Sequence, residues 1–310
     1  MVPLRIGVLR TDRLGDMVLT LPMMNAIREV IPGAHCTLFT RAYVRPLLLE
    51  NPAADTVVYV DENTRPLHHL LRDEHLDVLF FPRPRAREAW DALRAAIPQR
   101  VGSAYRWYAP LFTTTVKDHR SKAEYHEAEY NMRMIARAFN VETPMVRLVH
   151  PRPHAVRDAA TVRIVIHPGS GGSAPEWPAE CFGEVAAYCA AELGAQVLIT
   201  GLEQEKEKCR VVAERCSQAQ NLCGALDLGQ MIDLISTASL LCANSTGVLH
   251  VAAACGTPVV GFYPHTPSMS KHRWGPYTTN ALVLESTPDN NMRSIEVSAA
   301  INAVRQLLQT

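Results

Sequence analysis

No stretch of about 18 consecutive apolar residues occurs in the 310-residue sequence, so no membrane-spanning helix is expected. Net charge is missing too. Lys plus Arg and Asp plus Glu stand at 31 each, which leaves no overall field to draw in nucleic acid. The eight cysteines form no C-x-x-C pair and seven of them lie in the second half, mostly in apolar or helical contexts. They are expected to be reduced packing residues. Arg5 and Arg10 interrupt the first apolar stretch and no small-residue cleavage site follows, so no signal peptide is expected. With reduced cysteines, a cytoplasmic protein is the expectation. Neither a metal-ligand cluster nor a short-period repeat is visible.

What is present is an ordinary globular composition, 47% hydrophobic and 20% charged. The chain is longer than one core usually fills, so two domains are expected. Strand-like and helix-like segments alternate throughout, which predicts parallel sheets covered by helices. In the first half the pattern predicts strands at 4–9, 36–40, 56–60, 76–81 and 100–102. Helices are predicted at 16–31, 44–50, 67–74, 85–96 and 122–140, with a kink at Pro22 because proline falls beyond the first turn. The stretch 103–115 has Tyr105, Trp107, Tyr108 and Phe112 but little periodicity, and reads as a loop forming a lip. Residues 141–161 hold Pro144, Pro151 and Pro153 without a strong period, and read as the linker between domains 1–150 and 151–310. The second half restarts the alternation, from a strand at 162–166 to a closing helix at 294–308. The expected architecture is α/β, two Rossmann-like domains facing across a cleft.

Chemistry-bearing residues gather at the strand ends. The first strand runs into Gly15-Asp16, and Asp16 near a helix N-terminus would be favoured as a carboxylate by the helix dipole. It is a candidate base. In the second half, His167-Pro-Gly169-Ser170-Gly171-Gly172 follows a strand and would offer bare backbone N–H groups and hydroxyls to an anion. It matches neither the Walker pattern nor the dinucleotide fingerprint. The run Asn244-Ser245-Thr246-Gly247 ends another strand and could cap the small-residue helix that follows. His250 lies one turn into that helix. Arg83, Arg85, Arg87, Arg94 and Arg100 form a basic segment, either a solvated helix face or a cradle for an anionic acceptor or a membrane surface.

Three stretches, in this order, resemble the bacterial glycosyltransferases of family 9, the family of the lipopolysaccharide heptosyltransferases. They are Gly15-Asp16-x-x-Leu19-x-x-Pro22, then His167-Pro-Gly with Trp177-Pro178, then Thr246-Gly247-x-x-His250-x-Ala-Ala-Ala-x-Gly-Thr-Pro258. The resemblance implies a GT-B fold with the acceptor on the N-terminal domain and a nucleotide sugar on the C-terminal one. It implies inverting, metal-independent transfer without a cofactor, with Asp16 as base on the acceptor hydroxyl. The donor expected from the family is ADP-heptose and the acceptor a lipopolysaccharide core or related glycan. Peripheral contact with the cytoplasmic face of the inner membrane is a further expectation. Gly169, Ser170, Thr246 and Gly247 match positions that would meet the pyrophosphate, and Glu205 matches an acid that contacts the nucleoside. Asn244, Ser245 and His250 are carried as donor contacts, and Arg13 and Gly15 as acceptor-side residues.

Two positions depart from the family pattern. Ser245 stands where many members have an aspartate, and Pro175 where they commonly have a lysine. Lys271 and Arg273 could supply the missing cation. The alternatives on the same fold are a non-hydrolysing sugar-nucleotide epimerase and a catalytically lapsed nucleotide-sugar-binding protein. The closing helix is expected to pack back on the N-terminal domain.

Overall fold

A computed structural model describes residues 3–50, 53–158 and 160–309. The chain divides into two compact units, residues 1–149 and 150–310. The first contains β1 (Arg5–Leu9), α1 (Leu14–Val18), α2 (Pro22–Val30), β2 (His35–Thr40) and β3 (Thr56–Tyr59). It continues with α3 (Leu67–Asp73), β4 (Val78–Phe80), α4 (Ala86–Arg94), β5 (Gln99–Ser103), β6 (Thr114–Val116) and α5 (Glu127–Phe139). The second contains β7 (Arg163–His167), α6 (Ala179–Glu192), β8 (Gln196–Ile199), α7 (Lys206–Arg215), β9 (Gln220–Asn221) and α8 (Leu228–Thr237). It continues with β10 (Leu240–Asn244), α9 (Gly247–Ala254), β11 (Val259–Tyr263), α10 (Lys271–Trp274), β12 (Ala281–Glu285) and α11 (Val297–Leu308).

Each unit is built on a six-stranded sheet in which every neighbouring pair is parallel. The orders are β3-β2-β1-β4-β5-β6 and β9-β8-β7-β10-β11-β12, one topology used twice. The order reverses between β1 and β4 in the first sheet and between β7 and β10 in the second. In open α/β sheets such reversals leave a crevice at the carboxyl ends of the strands, where ligands bind. The central strands are apolar on both faces, as burial under helices requires. Ile6, Val8, Leu38 and Leu79 are fully buried in one sheet, and Ile164, Ile166, Leu241 and Val260 in the other.

Several expectations are corrected. The helix predicted over 16–31 is two helices. α1 ends at Val18, and α2 restarts with Pro22 in its first turn, where the missing N–H has no partner to lose. The break is stabilised by α5, whose fully buried Asn131 donates to the Leu19 carbonyl at 3.0 Å. Ala42–Leu47, in the region read as a second helix, forms a 3-10 turn, and Pro46 within it prevents a longer α-helix.

The stretch read as a loop over 103–115 runs into the edge strand β6, and two of its aromatics, Tyr108 and Phe112, are core residues packed with Leu9 and Phe81. A Cβ on Gly102 would overlap the Phe112 ring, so this glycine permits the close approach. β9 and α10 were not anticipated, being two and four residues long, too short for a period to show. α11 buries Ala300, Ala303 and Val304 in the core of the second unit, together with Val185 and Cys189 of α6. All eight cysteines are free thiols.

Candidate active site

The first β1-to-helix turn carries an unusual density of ions. Arg10, the residue after β1, is 2% exposed. Such a cation survives burial only if paired. Its Nε donates to Asp12 Oδ1 at 2.5 Å and its Nη2 to Asp12 Oδ2 at 3.2 Å. The same Nη2 also donates to Asp16 Oδ1. Arg83, in the segment after β4, reaches Asp12 Oδ2 at 2.7 Å from the other side of the topological reversal. From α5, Glu127 is buried and paired with Arg120. Asp16 is thus set among charges from the β1–α1 turn, the segment after β4 and α5.

The two carboxylates sharing Arg10 respond differently. Burial works against the charge on Asp12, but Arg10 and Arg83 outweigh it and hold Asp12 below the usual carboxylate range. Asp16 goes the other way. Burial is the largest influence and raises it, Arg10 opposes, and the negative charges of Asp12 and Glu127 push it further up. The expected dipole effect is therefore overridden: α1 has only five residues, and the surroundings, not the helix, decide the proton affinity. A raised carboxylate beside an arginine is a stronger base than a free aspartate. Arg10 itself loses by burial and is more than restored by Asp16, Asp12 and Glu127.

Reading by sequence overlooked Arg10, Asp12 and Glu127 as site residues. For the first two a signal existed, since a charged Arg-x-Asp follows directly on an apolar strand. Glu127, more than a hundred positions away, offered none. Arg13 is exposed at the N-terminal boundary of α1, where its carbonyl accepts from the Met17 N–H at 3.0 Å. Gly15 is buried within α1, and its carbonyl accepts from Leu19.

In the second unit the corresponding end holds glycines, hydroxyls and amides. The loop after β7 was expected to present bare N–H groups. It does so only in part. The Ser170 N–H and hydroxyl both donate to Glu176 Oε1 at 2.8 Å, and the Gly171 N–H donates to Glu205 Oε1 at 2.9 Å. Glu205 also accepts from the Leu202 N–H through Oε2, and Glu176 pairs with Lys208 at 2.5 Å. Glu205 therefore braces the loop from behind. Gly169 is required here because a Cβ would overlap the Glu205 carboxyl, while Gly171 and Gly172 take left-handed backbone angles. His167, buried between Thr200 and Glu205, is pushed down to about 4 by burial, against the opposing pull of the Glu205 charge, and stays neutral.

Asn244, at the end of β10, is fully buried and ties two segments together. Its Oδ1 accepts from the Trp177 N–H at 2.8 Å and its Nδ2 donates to the Pro168 carbonyl at 2.7 Å. Trp177 is stacked on Phe262 at 4.1 Å, so the Trp-Pro pair is a structural anchor for the loop. The predicted capping of α9 is corrected: Thr246 occupies the cap position but makes no side-chain cap hydrogen bond. The first amides of α9 are accordingly not met by a cap side chain. Ser245 is buried and lies against Tyr263, whose hydroxyl donates to the Trp274 carbonyl at 2.8 Å and so joins α10 to the end of β11. Gly247 opens α9 and His250 is buried one turn in. Lys271 pairs with Glu285 at 3.3 Å, and Arg273 lies over the Trp274 ring. Among the described residues no group of three or more His, Cys, Asp or Glu side chains is placed to hold a metal ion.

The arrangement provides a tuned carboxylate on one unit and, on the other, a nest of hydroxyls and amides suited to phosphate oxygens. The sequence model of glycosyltransferase family 9 (heptosyltransferase) matches residues 65–301. A Haemophilus influenzae protein bearing a provisional glycosyltransferase name is 25% identical over 302 residues, 88% of this chain and 86% of that one. Among solved structures, a family 9 glycosyl transferase from Veillonella parvula superposes with a TM-score of 0.83 at 23% identity, covering 98% of this chain and 97% of that one. The Escherichia coli ADP-heptose lipopolysaccharide heptosyltransferase II does so with a TM-score of 0.80 at 22% identity, covering 99% of each. These likenesses support the GT-B assignment for the two-sheet architecture.

Proposed function

The chain belongs to glycosyltransferase family 9, and on that premise we propose that it moves heptose from ADP-heptose onto a lipopolysaccharide core or a related glycan, with inversion and without metal or cofactor. Asp16 is the base. As the acceptor oxygen attacks the anomeric carbon, its proton passes to Asp16 Oδ2 and the bond from that carbon to the phosphate oxygen breaks. Arg10, engaged with Oδ1, keeps the carboxylate oriented. The nucleoside diphosphate leaves with its charge met by the first amides of α9, the hydroxyls of Ser245 and Thr246, and the Gly169–Gly172 loop. At Ser170 and Gly171 the phosphate would have to exchange with Glu176 and Glu205.

The observation that carries the reading is Asp16: a raised carboxylate beside a buried arginine at the carboxyl end of the first sheet. Family membership favours transfer over the epimerase reading, and the retained Asp16 charge group favours it over the lapsed one. Ser245 and Pro175 bear on donor choice, since both remove charge expected near the nucleotide. Calorimetry against ADP-, GDP- and UDP-sugars tests the donor: binding of the ADP-sugar is expected, and silence with all three would remove the proposal. Asp16→Asn should lower turnover by about a thousandfold with donor affinity unchanged; undiminished turnover would remove Asp16 as base.

A further inference from the structure

Two carboxylates hold the glycine loop after β7, and they are not equivalent. Glu205 is buried, and both its oxygens are occupied, Oε1 by the Gly171 N–H and Oε2 by the Leu202 N–H. It also fills the space that a Cβ on Gly169 would need, so it is packed in place. Glu176 is different. It belongs to the loop's own far arm, six residues after Ser170, and its side chain is 23% exposed. Of the two, only Glu176 has a way out to solvent.

What surrounds Glu176 is a set of donors suited to a phosphate. Its Oε1 accepts from the Ser170 N–H and lies 2.8 Å from the Ser170 hydroxyl, which also reaches the Ala174 carbonyl at 3.0 Å. Its Oε2 takes the ammonium of Lys208, from the first turn of α7, at 2.5 Å. A backbone N–H, a hydroxyl and an ammonium converging on one anion are the donor types that hold phosphate oxygens. They outweigh burial and keep Glu176 below the ordinary glutamate range. Ser170 itself is buried, so a ligand reaches its donors only after Glu176 moves. β10 pairs with β7, and Asn244 at its end binds the Pro168 carbonyl and the Trp177 N–H. The Ser170 donors and the start of α9 therefore lie at neighbouring strand ends. Open space adjoins the loop, since a Cβ on Gly172 would meet nothing within 4 Å.

We propose that Glu176 is a resident stand-in for a phosphate of the donor's diphosphate, displaced when the donor binds, and that Lys208 is the cation that then meets that phosphate. Glu205 keeps the loop in shape throughout. Lys208 sits on a flexible four-carbon stem and stays at the site, exchanging one anion for another. Before the donor arrives, Glu176 satisfies a buried N–H that would be costly to leave unpaired. Donor affinity is then set by the difference between two anions competing for the same donors. The assignment rests on the nucleotide-sugar reading for the identity of the ligand, though the exchange is measurable with a bare diphosphate.

The test is calorimetry of the full chain with ADP and, separately, with inorganic pyrophosphate, on the parent and on two variants of this one ion pair. Glu176→Gln keeps the shape but removes the competing charge, and should tighten binding about tenfold. Lys208→Gln removes the cation and should weaken binding about tenfold, the size of one charge-assisted hydrogen bond. Opposite signs are the signature, because a pair that only braces the loop would weaken binding in both variants. The proposal is overturned if Glu176→Gln weakens binding or leaves it unchanged, if Lys208→Gln leaves it unchanged, or if the parent binds neither ligand. Should Lys208→Gln fail to fold by urea unfolding, the sign of the Glu176→Gln effect decides alone. If ADP binds and pyrophosphate does not, the two responses to ADP decide. Pyrophosphate binding with opposite responses, but no ADP binding, would remove the ADP-sugar donor and leave the exchange standing.

Discussion

At the carboxyl end of β1 the chain sets ionised side chains against one another. At the matching end of β7, on a sheet of identical order, it sets glycines, hydroxyls and backbone N–H groups. Carboxylates occur in both places and are treated oppositely. Asp16 sits among Arg10, Asp12 and Glu127, where burial raises its proton affinity. Glu176 and Glu205 are tied down by backbone N–H groups, and Glu176 also by Lys208. On the proposed function Asp16 is a base, and its environment has to leave proton exchange within reach. On the proposed function the β7 end would meet phosphate, and for that its nearby carboxylates have to be neutralised or turned to brace the loop. One topology supports both because its strand order sets the address and not the chemistry.

The contrast can be broken most strongly at His167. Its pKa is pushed down to about 4 from an ordinary 6.5. The unfolded chain then binds more protons between those values, so folding stability contributed by neutral His167 is complete above pH 6.5 and is lost as pH falls toward 4. The loss amounts to about 3 kcal/mol. His167→Gln should flatten this acid limb in urea-unfolding curves of the second unit, and an unchanged limb would show that His167 is not its source. Next in size, Gly169→Ala would force the loop and the Glu205 carboxyl apart. A cost of about 1–3 kcal/mol in stability is expected, with a weaker donor affinity by calorimetry; wild-type values in both would mean the loop yields without consequence.

A subtler change sharpens the first site. The charge of Asp12 raises Asp16 and anchors Arg10, so Asp12→Asn should lower the Asp16 pKa. The acid limb of the rate profile should move down; in the wild type it should lie above the ordinary aspartate value of 3.8. A limb that stays put or moves up would dissolve the coupling. The smallest effect is expected at Lys271, half-exposed and paired with Glu285. Lys271→Ala should change donor KM by less than about fivefold, as exposed pairs contribute little, and a hundredfold rise would make Lys271 the pyrophosphate cation after all.

The alternation of apolar strands with helices was legible because both periods are written locally, in runs of five to fourteen residues. The edge strand β6 and the short β9 were not legible, since three or two residues carry no period. The stretch 103–115 was misread as uniformly loop because Tyr108 and Phe112 owe their burial to Gly102 and Phe81, contacts that no local pattern encodes. Pro22 was seen to disturb the first helix, but whether it kinked or restarted it depended on Asn131 of α5.

The sequence by itself determined two parallel α/β sheets, the position of Asp16 after the first strand, and the glycine-and-hydroxyl runs after β7 and β10. Each follows from side-chain period or from residue types that only certain backbones accept. Only the tertiary structure decided what those groups do. Asp16 is raised first because it is buried, and further by the nearby charges of Asp12 and of Glu127, the latter more than a hundred residues on. Glu205 braces the loop after β7 because its carboxyl meets the Gly171 and Leu202 amides. Proton affinity and hydrogen-bond occupancy depend on everything within a few ångströms, and distance in space is what the linear order leaves open.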